Sequence, residues 1–120
     1  METKLTKEQE YDIQQFESFR NQLNMLMAQR QQVTMQVESI KVSLKELEKT
    51  SEKTAFRIVG SVIVNVPIEQ LKKDLAKEQE ELDLQLKTVE TQEKRVTERL
   101  NKLKAKIEES LSGKSEEAAE

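Results

Sequence analysis

The chain has no cysteine, no histidine and no tryptophan, and only one tyrosine and two glycines in 120 residues. Without cysteine it can form no disulfide and supports no thiol chemistry, so cysteine usage does not indicate a redox compartment. Without histidine, and with glycines too far apart for a phosphate-binding loop, it lacks the usual groups of acid–base or phosphate chemistry. We therefore predict that it is not an enzyme, with no catalytic residues, no metal and no cofactor.

Long hydrophobic runs are also missing. The segment METKLTKEQE lacks the apolar region of a signal peptide, and no run approaches the roughly 18 apolar residues of a membrane span. The 20 basic and 23 acidic residues give a net charge of −3, which offers no electrostatic basis for binding nucleic acid or an anionic membrane. We expect a cytoplasmic protein with neither of these partners.

Charged residues make up 36% of the chain and aromatic residues 3%, which favours an elongated coiled coil over a thick core. A capping box formed by Thr6 and Gln9 predicts a helix over about 7–49. Its seam alternates steps of three and four residues, and nine of the ten positions are apolar. These positions are Phe16, Phe19, Leu23, Leu26, Arg30, Val33, Val37, Ile40, Leu44 and Leu47. Before Phe16 the seam would hold Gln9 and Asp12, which predicts looser pairing there.

A second apolar column predicts another helix over about 67–111. Ile68, Leu75, Leu82, Val89, Val96 and Leu103 recur every seven residues. Two helices of about 42 residues around a short connection predict a long antiparallel two-helix coiled coil, about 60 Å long at about 1.5 Å per residue. The fold class is therefore mostly α, as one domain over residues 1–111. The acidic segment 112–120 is expected to be a disordered tail.

The connection between the helices is rich in β-branched residues and predicts a single β-hairpin over about 54–66. Gly60-Ser61 suits a two-residue turn, so Val59 should pair with Val62. Both faces of this hairpin would be mostly apolar, and two strands alone leave two open edges. We expect other copies or other chains to complete the sheet.

Several apolar residues lie outside the seam in the half of the first helix that is far from the hairpin. Tyr11, Ile13, Met25 and Met27 occupy positions where a solvated coiled coil should be polar. Methionine and large aromatic side chains suit a surface that binds varied apolar partners. Taken singly, the neighbouring residues are better explained as seam core: Phe16, Phe19, Leu23, Leu100 and Leu103. Four clustered carboxylates are expected to be a solvated helix face: Glu78, Glu80, Glu81 and Asp83.

Three segments of the chain resemble β-type subunits of the prefoldin family. They are QQFESFRNQLNMLMAQRQQV in the first helix, FRIVGSVIV in the hairpin and LKTVETQEKRVTERLNKLKAKI in the second helix. The run Glu90 to Arg95 and the Val-Gly turn are the most specific parts. The single hairpin also resembles the β-type layout, since α-type subunits carry two. The resemblance covers about residues 10–111.

The resemblance implies a heterohexamer of two α-type and four β-type chains, whose hairpins join into β-barrels and whose coiled coils hold non-native proteins. It implies an ATP-independent co-chaperone, or holdase, that delivers unfolded polypeptide clients to a group II chaperonin. Carried over to this chain, the oligomerisation residues are Phe56, Ile58, Val59, Gly60, Val62, Ile63, Val64 and Val66. The client-binding residues are Tyr11, Ile13, Phe16, Phe19, Leu23, Leu100, Leu103, Ile107 and Leu111, to which the off-seam pattern adds Met25 and Met27.

The alternative is a structural coiled-coil scaffold or tether that oligomerises through its hairpin and binds one defined partner helix. Such a tether should carry polar, register-setting residues at the end of the coiled coil. A holdase should carry adaptable apolar residues there. The off-seam methionine and aromatic residues favour the holdase.

Overall fold

A computed structural model describes residues 4–119, with side chains described for residues 4–112. Helix α1 (Lys7–Lys49) is followed by strands β1 (Thr54–Val59) and β2 (Val62–Pro67) and by helix α2 (Ile68–Ala119). The two strands form an antiparallel hairpin between the long helices. The predicted fold class is confirmed.

The start of α1 is fixed by the predicted capping box. The Gln9 backbone N–H donates to Thr6 Oγ1 at 3.0 Å, and the Thr6 backbone N–H donates to Gln9 Oε1 at 2.9 Å. These two bonds satisfy backbone donors that a first helical turn leaves without intrahelical partners.

The hairpin has the predicted register, with Val59 opposite Val62 across the Gly60-Ser61 turn. Gly60 has a φ of 61°, a left-handed conformation that glycine adopts without the strain of a Cβ. Strand β2 runs one residue further than predicted, because Pro67 pairs with Thr54. The Ile68 backbone N–H then donates to the Lys53 carbonyl at 3.0 Å, so β2 passes into α2 with no intervening residue.

The end of α2 differs from the prediction. The helix continues through Ala119, beyond the predicted end near residue 111, where the segment from 112 onward was expected to be disordered. Glutamate and alanine make up five of the nine residues 112–120, and both favour helix, whereas the Ser112-Gly113 pair is too weak a signal to end it. Glu120, the last residue of the expected tail, lies outside the described residues.

The chain divides into two compact units, and both helices contribute to each: Met1–Gln29 with Val89–Glu120, and Arg30–Thr88. A single domain over residues 1–111 stays a prediction. In the unit Arg30–Thr88, Ile40, Leu71 and Leu75 form a buried hydrophobic cluster. Leu71 is buried although it lies one place out of phase with the heptad, and Lys72, at the heptad position, is half-buried. Ala55 and Val66 of the hairpin pack against this core.

In the other unit, two polar residues occupy the seam. Val89, Val96 and Leu100 are buried, and so are Gln9 and Asp12, each 5% exposed. This is a correction to the prediction of loose pairing before Phe16: the extrapolated seam positions are polar, yet α2 supplies partners for them.

We call Glu8, Gln9, Asp12, Lys106 and Ser110 the polar end cluster. Gln9 Nε2 donates to Ser110 Oγ at 2.7 Å, and Lys106 Nζ donates to Asp12 Oδ1 at 3.3 Å. Lys106 Nζ also lies 3.4 Å from a Glu8 carboxylate oxygen. The Asp12 carboxylate, first through its hydrogen bond and then through its charge, raises the pKa of Lys106 above its ordinary value of 10.5. Buried polar groups that find such partners avoid the desolvation cost of leaving them unpaired.

Leu75→Ala should lower the free energy of unfolding by about 2–5 kcal/mol, because it removes a buried side chain and leaves a cavity. The matched control is Leu84→Ala on the same helix, where the leucine is 66% exposed and the change should be within about 0.5 kcal/mol. Urea denaturation followed by circular dichroism at fixed protein concentration measures both. Equal losses in the two variants would contradict the assigned core.

Lys106→Met should lower the urea midpoint, because it leaves the buried Asp12 carboxylate without its cationic partner. Lys104→Met, an exposed lysine on the same turn, is the control and should leave the midpoint unchanged. Since folding raises the pKa of Lys106, its contribution is complete below about pH 10.5 and is lost as the pH rises through the folded-state pKa. A K106M effect that is absent at pH 7 would refute this assignment.

Candidate functional site

The hairpin presents a largely apolar face away from the core. We call Phe56, Ile58, Ile63 and Asn65 the hairpin outer face, since they alternate with the residues that pack on the core. Phe56, Ile58 and Ile63 are 75%, 74% and 69% exposed. Clustered large apolar side chains at this exposure are typical of an interaction surface. Three of the predicted oligomerisation residues are therefore brought together here.

The opposite face of the hairpin is divided along its length. Val59, Val62 and Val64 are exposed near the turn, and Gly60 is exposed within it. Val66 lies at the other end of the hairpin and is half-buried against the chain's own core. Of the eight predicted oligomerisation residues, Val66 thus has a role in the subunit's own packing.

Arg57 also lies on this inner face and was not among the predicted site residues. Its Nη2 donates to Oε1 of Glu78 on α2. Glu78 was expected to belong to a solvated carboxylate face, but it is an ion-pair partner of the hairpin. Arg57 is the charged residue of a strand whose other residues are uncharged. This was the sequence signal that could have identified it.

A groove of about 870 Å³ runs between β1 and the helices. Phe56 and Ile58 line it from the strand, and Val42 and Leu47 line it from α1. Val42 is exposed and was not among the predicted site residues. An apolar residue outside the heptad seam was the sequence signal that could have identified it.

The predicted client-binding residues lie in the unit Met1–Gln29 with Val89–Glu120, but they differ in exposure. Tyr11 and Met25 are 60% and 73% exposed, and Met27 and Leu111 are also exposed. The half-buried members are Ile13, Phe16, Phe19, Leu23, Leu103 and Ile107. Leu100 is buried, as expected of a seam residue. The residues reachable without separating the helices are therefore Tyr11, Met25, Met27 and Leu111.

A cation lies over the ring of one half-buried member, Phe19. The Arg99 guanidinium stands 5.8 Å from the centre of the Phe19 ring, within the range of a cation–π contact. This contact covers part of Phe19 and is consistent with its half-buried state.

Metal-binding clusters and membrane-spanning helices are both absent from the described part of the chain. No group of three or more histidine, cysteine or acidic residues there is placed to hold a metal ion. No helix over residues 4–119 has a stretch long and apolar enough to cross a membrane.

Comparisons with known proteins indicate the family to which the chain is related. A family model described as prefoldin subunit matches residues 10–114. The prefoldin subunit beta of Thermococcus onnurineus (strain NA1) is 33% identical over 98 residues, which are 81% of this chain and 84% of that protein. The prefoldin subunit beta of Pyrococcus furiosus is 31% identical with the same coverage.

A solved structure extends the agreement to the fold. The crystal structure of the prefoldin beta subunit from Thermococcus strain KS-1 superposes with a TM-score of 0.82 and 27% identity. The match covers 92% of this chain and 97% of that one. With its two helices and one hairpin, the chain belongs to the prefoldin family of chaperone subunits, as a β-type member.

Proposed function

We propose that this chain is an ATP-independent holdase subunit that binds non-native polypeptides and passes them to a group II chaperonin. The observation that carries the proposal is the set of exposed, off-seam apolar residues Tyr11, Met25 and Met27. A helix in a two-helix coiled coil needs apolar residues on its seam, and these three contribute little there. Their exposure favours binding of another polypeptide.

The chemistry of these residues suits varied clients. Methionine has three rotatable side-chain bonds and a polarizable sulfur, so it adapts to apolar surfaces of different shapes. Contacts of this kind are individually weak and reversible, which permits capture and release without nucleotide hydrolysis. The half-buried Ile13, Phe16 and Ile107 would extend the apolar area for larger clients.

The hairpin supports the proposed partners, which are α-type prefoldin subunits and further β-type copies in a hexamer. A lone two-stranded hairpin is marginal in water, and its edges offer unpaired backbone donors and acceptors. The exposed Phe56, Ile58 and Ile63 would be buried when neighbouring hairpins continue the sheet. Delivery to the chaperonin rests on the family resemblance. The proposed compartment is the cytoplasm, where chains begin to fold during synthesis.

A structural tether remains a second candidate because of the polar end cluster. Gln9 with Ser110 and Asp12 with Lys106 are polar pairs between the helices at the same end as Tyr11. Pairs of this type set the register of a coiled coil, as expected of a tether that binds one defined partner. Client binding separates the two functions.

Changing Phe56, Ile58 and Ile63 together to serine should weaken assembly with an α-type prefoldin chain by at least about tenfold, because burying each side chain is worth about 1.5–3 kcal/mol. Complex mass measured by analytical ultracentrifugation over a concentration series tests this. The control is Met35→Ser with Leu84→Ser, two exposed apolar residues outside the hairpin, which should assemble normally. Normal assembly of the triple variant would contradict the proposed interface.

Changing Tyr11, Ile13, Met25 and Met27 to glutamine should abolish most suppression of aggregation when a denatured client is diluted into the assembled complex. Glutamine keeps helix propensity close to that of methionine, so the loss would reflect the missing apolar surface. Light scattering against time gives the readout, with Met35→Gln and Leu84→Gln as the control. Undiminished protection by the fourfold variant would rule out this client surface. If the wild-type complex binds no client, the holdase function is wrong and the structural tether is the supported function.

A further inference from the structure

We propose that the ion pair between Arg57 and Glu78 is a positioning contact for assembly, which holds the hairpin at one angle to α2 so that its outer face meets neighbouring subunits. This inference rests on the proposed assembly through the hairpin. Its two residues are outside the predicted oligomerisation set, and neither needs to touch a neighbouring chain to act.

Arg57 carries the only charge on the two strands, whose sequences are TAFRIV and VIVNVP. Its side chain is 30% exposed and that of Glu78 is 41% exposed, so water screens the pair only in part. The arginine lies on the inner face of the hairpin, on the same side as Ala55, which packs against the core. The guanidinium therefore spans from the hairpin to the helix.

The apolar contacts of the hairpin with the core come from Ala55 and Val66, near the base of the hairpin. Val66 packs on the core one residue before Pro67, and the Ile68 N–H bonds to the Lys53 carbonyl beside it. These contacts hold the base of the hairpin. Beyond Arg57, Val59 and Val62 are exposed, and a Cβ built on Gly60 meets nothing within 4 Å.

The ion pair acts further from the base of the hairpin. Glu78 is ten residues along α2 from Ile68, which is about 15 Å at the helical rise. Because the pair joins a point within β1 to a point well along the helix, it opposes tilting of the hairpin about its base. Apolar contacts tolerate small rotations, whereas a charge-assisted hydrogen bond requires a narrow range of distance and angle.

A partly exposed ion pair contributes little to global stability, so loss of the contact should barely move the unfolding transition. Assembly should respond by a similarly small free energy: if the competent angle falls to about one third of chains without the pair, the apparent dissociation constant rises about threefold. The orientation of the hairpin, rather than its stability, distinguishes positioning from a merely structural role.

A charge-reversal cycle on the full chain tests the inference. Arg57→Glu and Glu78→Arg should each raise the apparent dissociation constant for an α-type prefoldin chain about threefold. The double variant restores opposite charges and should return it close to the wild-type value. Lys41→Glu, which breaks the exposed ion pair with Glu38 on α1, is the control and should have no effect. Urea midpoints of all variants confirm that each is folded.

Hairpin orientation is measured separately on the chain without any partner. Because the sequence has no cysteine, Ser61→Cys and Gln85→Cys give two unique positions for spin labels. The distance distribution between them should be narrow in wild type, broad in each single charge variant and narrow again in the double variant. Neither labelled position is a member of the ion pair, so the labels leave the Arg57 and Glu78 side chains unchanged.

The outcomes separate this inference from the proposed function. If wild type does not assemble with an α-type chain, the proposed function fails, while the spin labels still decide whether the pair fixes the hairpin. Unchanged distance distributions in the single variants overturn the inference. If the wild-type chain assembles, unchanged dissociation constants in the single variants overturn it as well. Failure of the double variant to restore either quantity also overturns it.

Discussion

The structure depends on a sheet that is too small to complete itself. Within residues 4–119, the two strands have no further strand partner at either edge. They also expose an apolar outer face formed mainly by Phe56, Ile58 and Ile63. A larger domain would cover such a face with its own helices. Here only the base of the inner face rests on the subunit's core, through Ala55 and Val66. The remaining apolar surface makes association with other chains the natural way to stabilise the hairpin.

The apolar residues of the helices fall into two groups, buried seam residues and exposed off-seam residues. Seam residues such as Val33, Val89 and Val96 are buried and hold the helices together. Tyr11 and Met25 are exposed and contribute to binding in the proposed function. The polar end cluster sits beside the second group, so the end of the coiled coil is paired through hydrogen bonds and charges while its apolar residues stay accessible. That combination suits a surface that binds without unfolding its own support.

The sequence was most informative where local chemistry decides structure. The capping box of Thr6 and Gln9 and the turn at Gly60 depend on neighbouring residues, and both were predicted correctly. The strand register follows from the turn, so it too was predicted. The boundary near residue 111 was missed because a Ser-Gly pair competes there with strong helix formers, and propensity differences of well under 1 kcal/mol per residue decide such cases.

Sequence alone determined the two helices, the hairpin between them and the apolar character of both candidate surfaces, because periodicity and turn chemistry are properties of short segments. Tertiary structure decided what pairing across distant segments does to individual side chains. Gln9 and Asp12 break the heptad, yet they are buried because Ser110 and Lys106 satisfy them from the other helix. From the sequence, Glu78 was predicted to be one of several solvated carboxylates. In the folded chain it forms an ion pair with Arg57 of the hairpin. Both outcomes depend on partners that are 21 to 101 residues away in sequence. A pattern within one short segment cannot predict which distant residue will contact it.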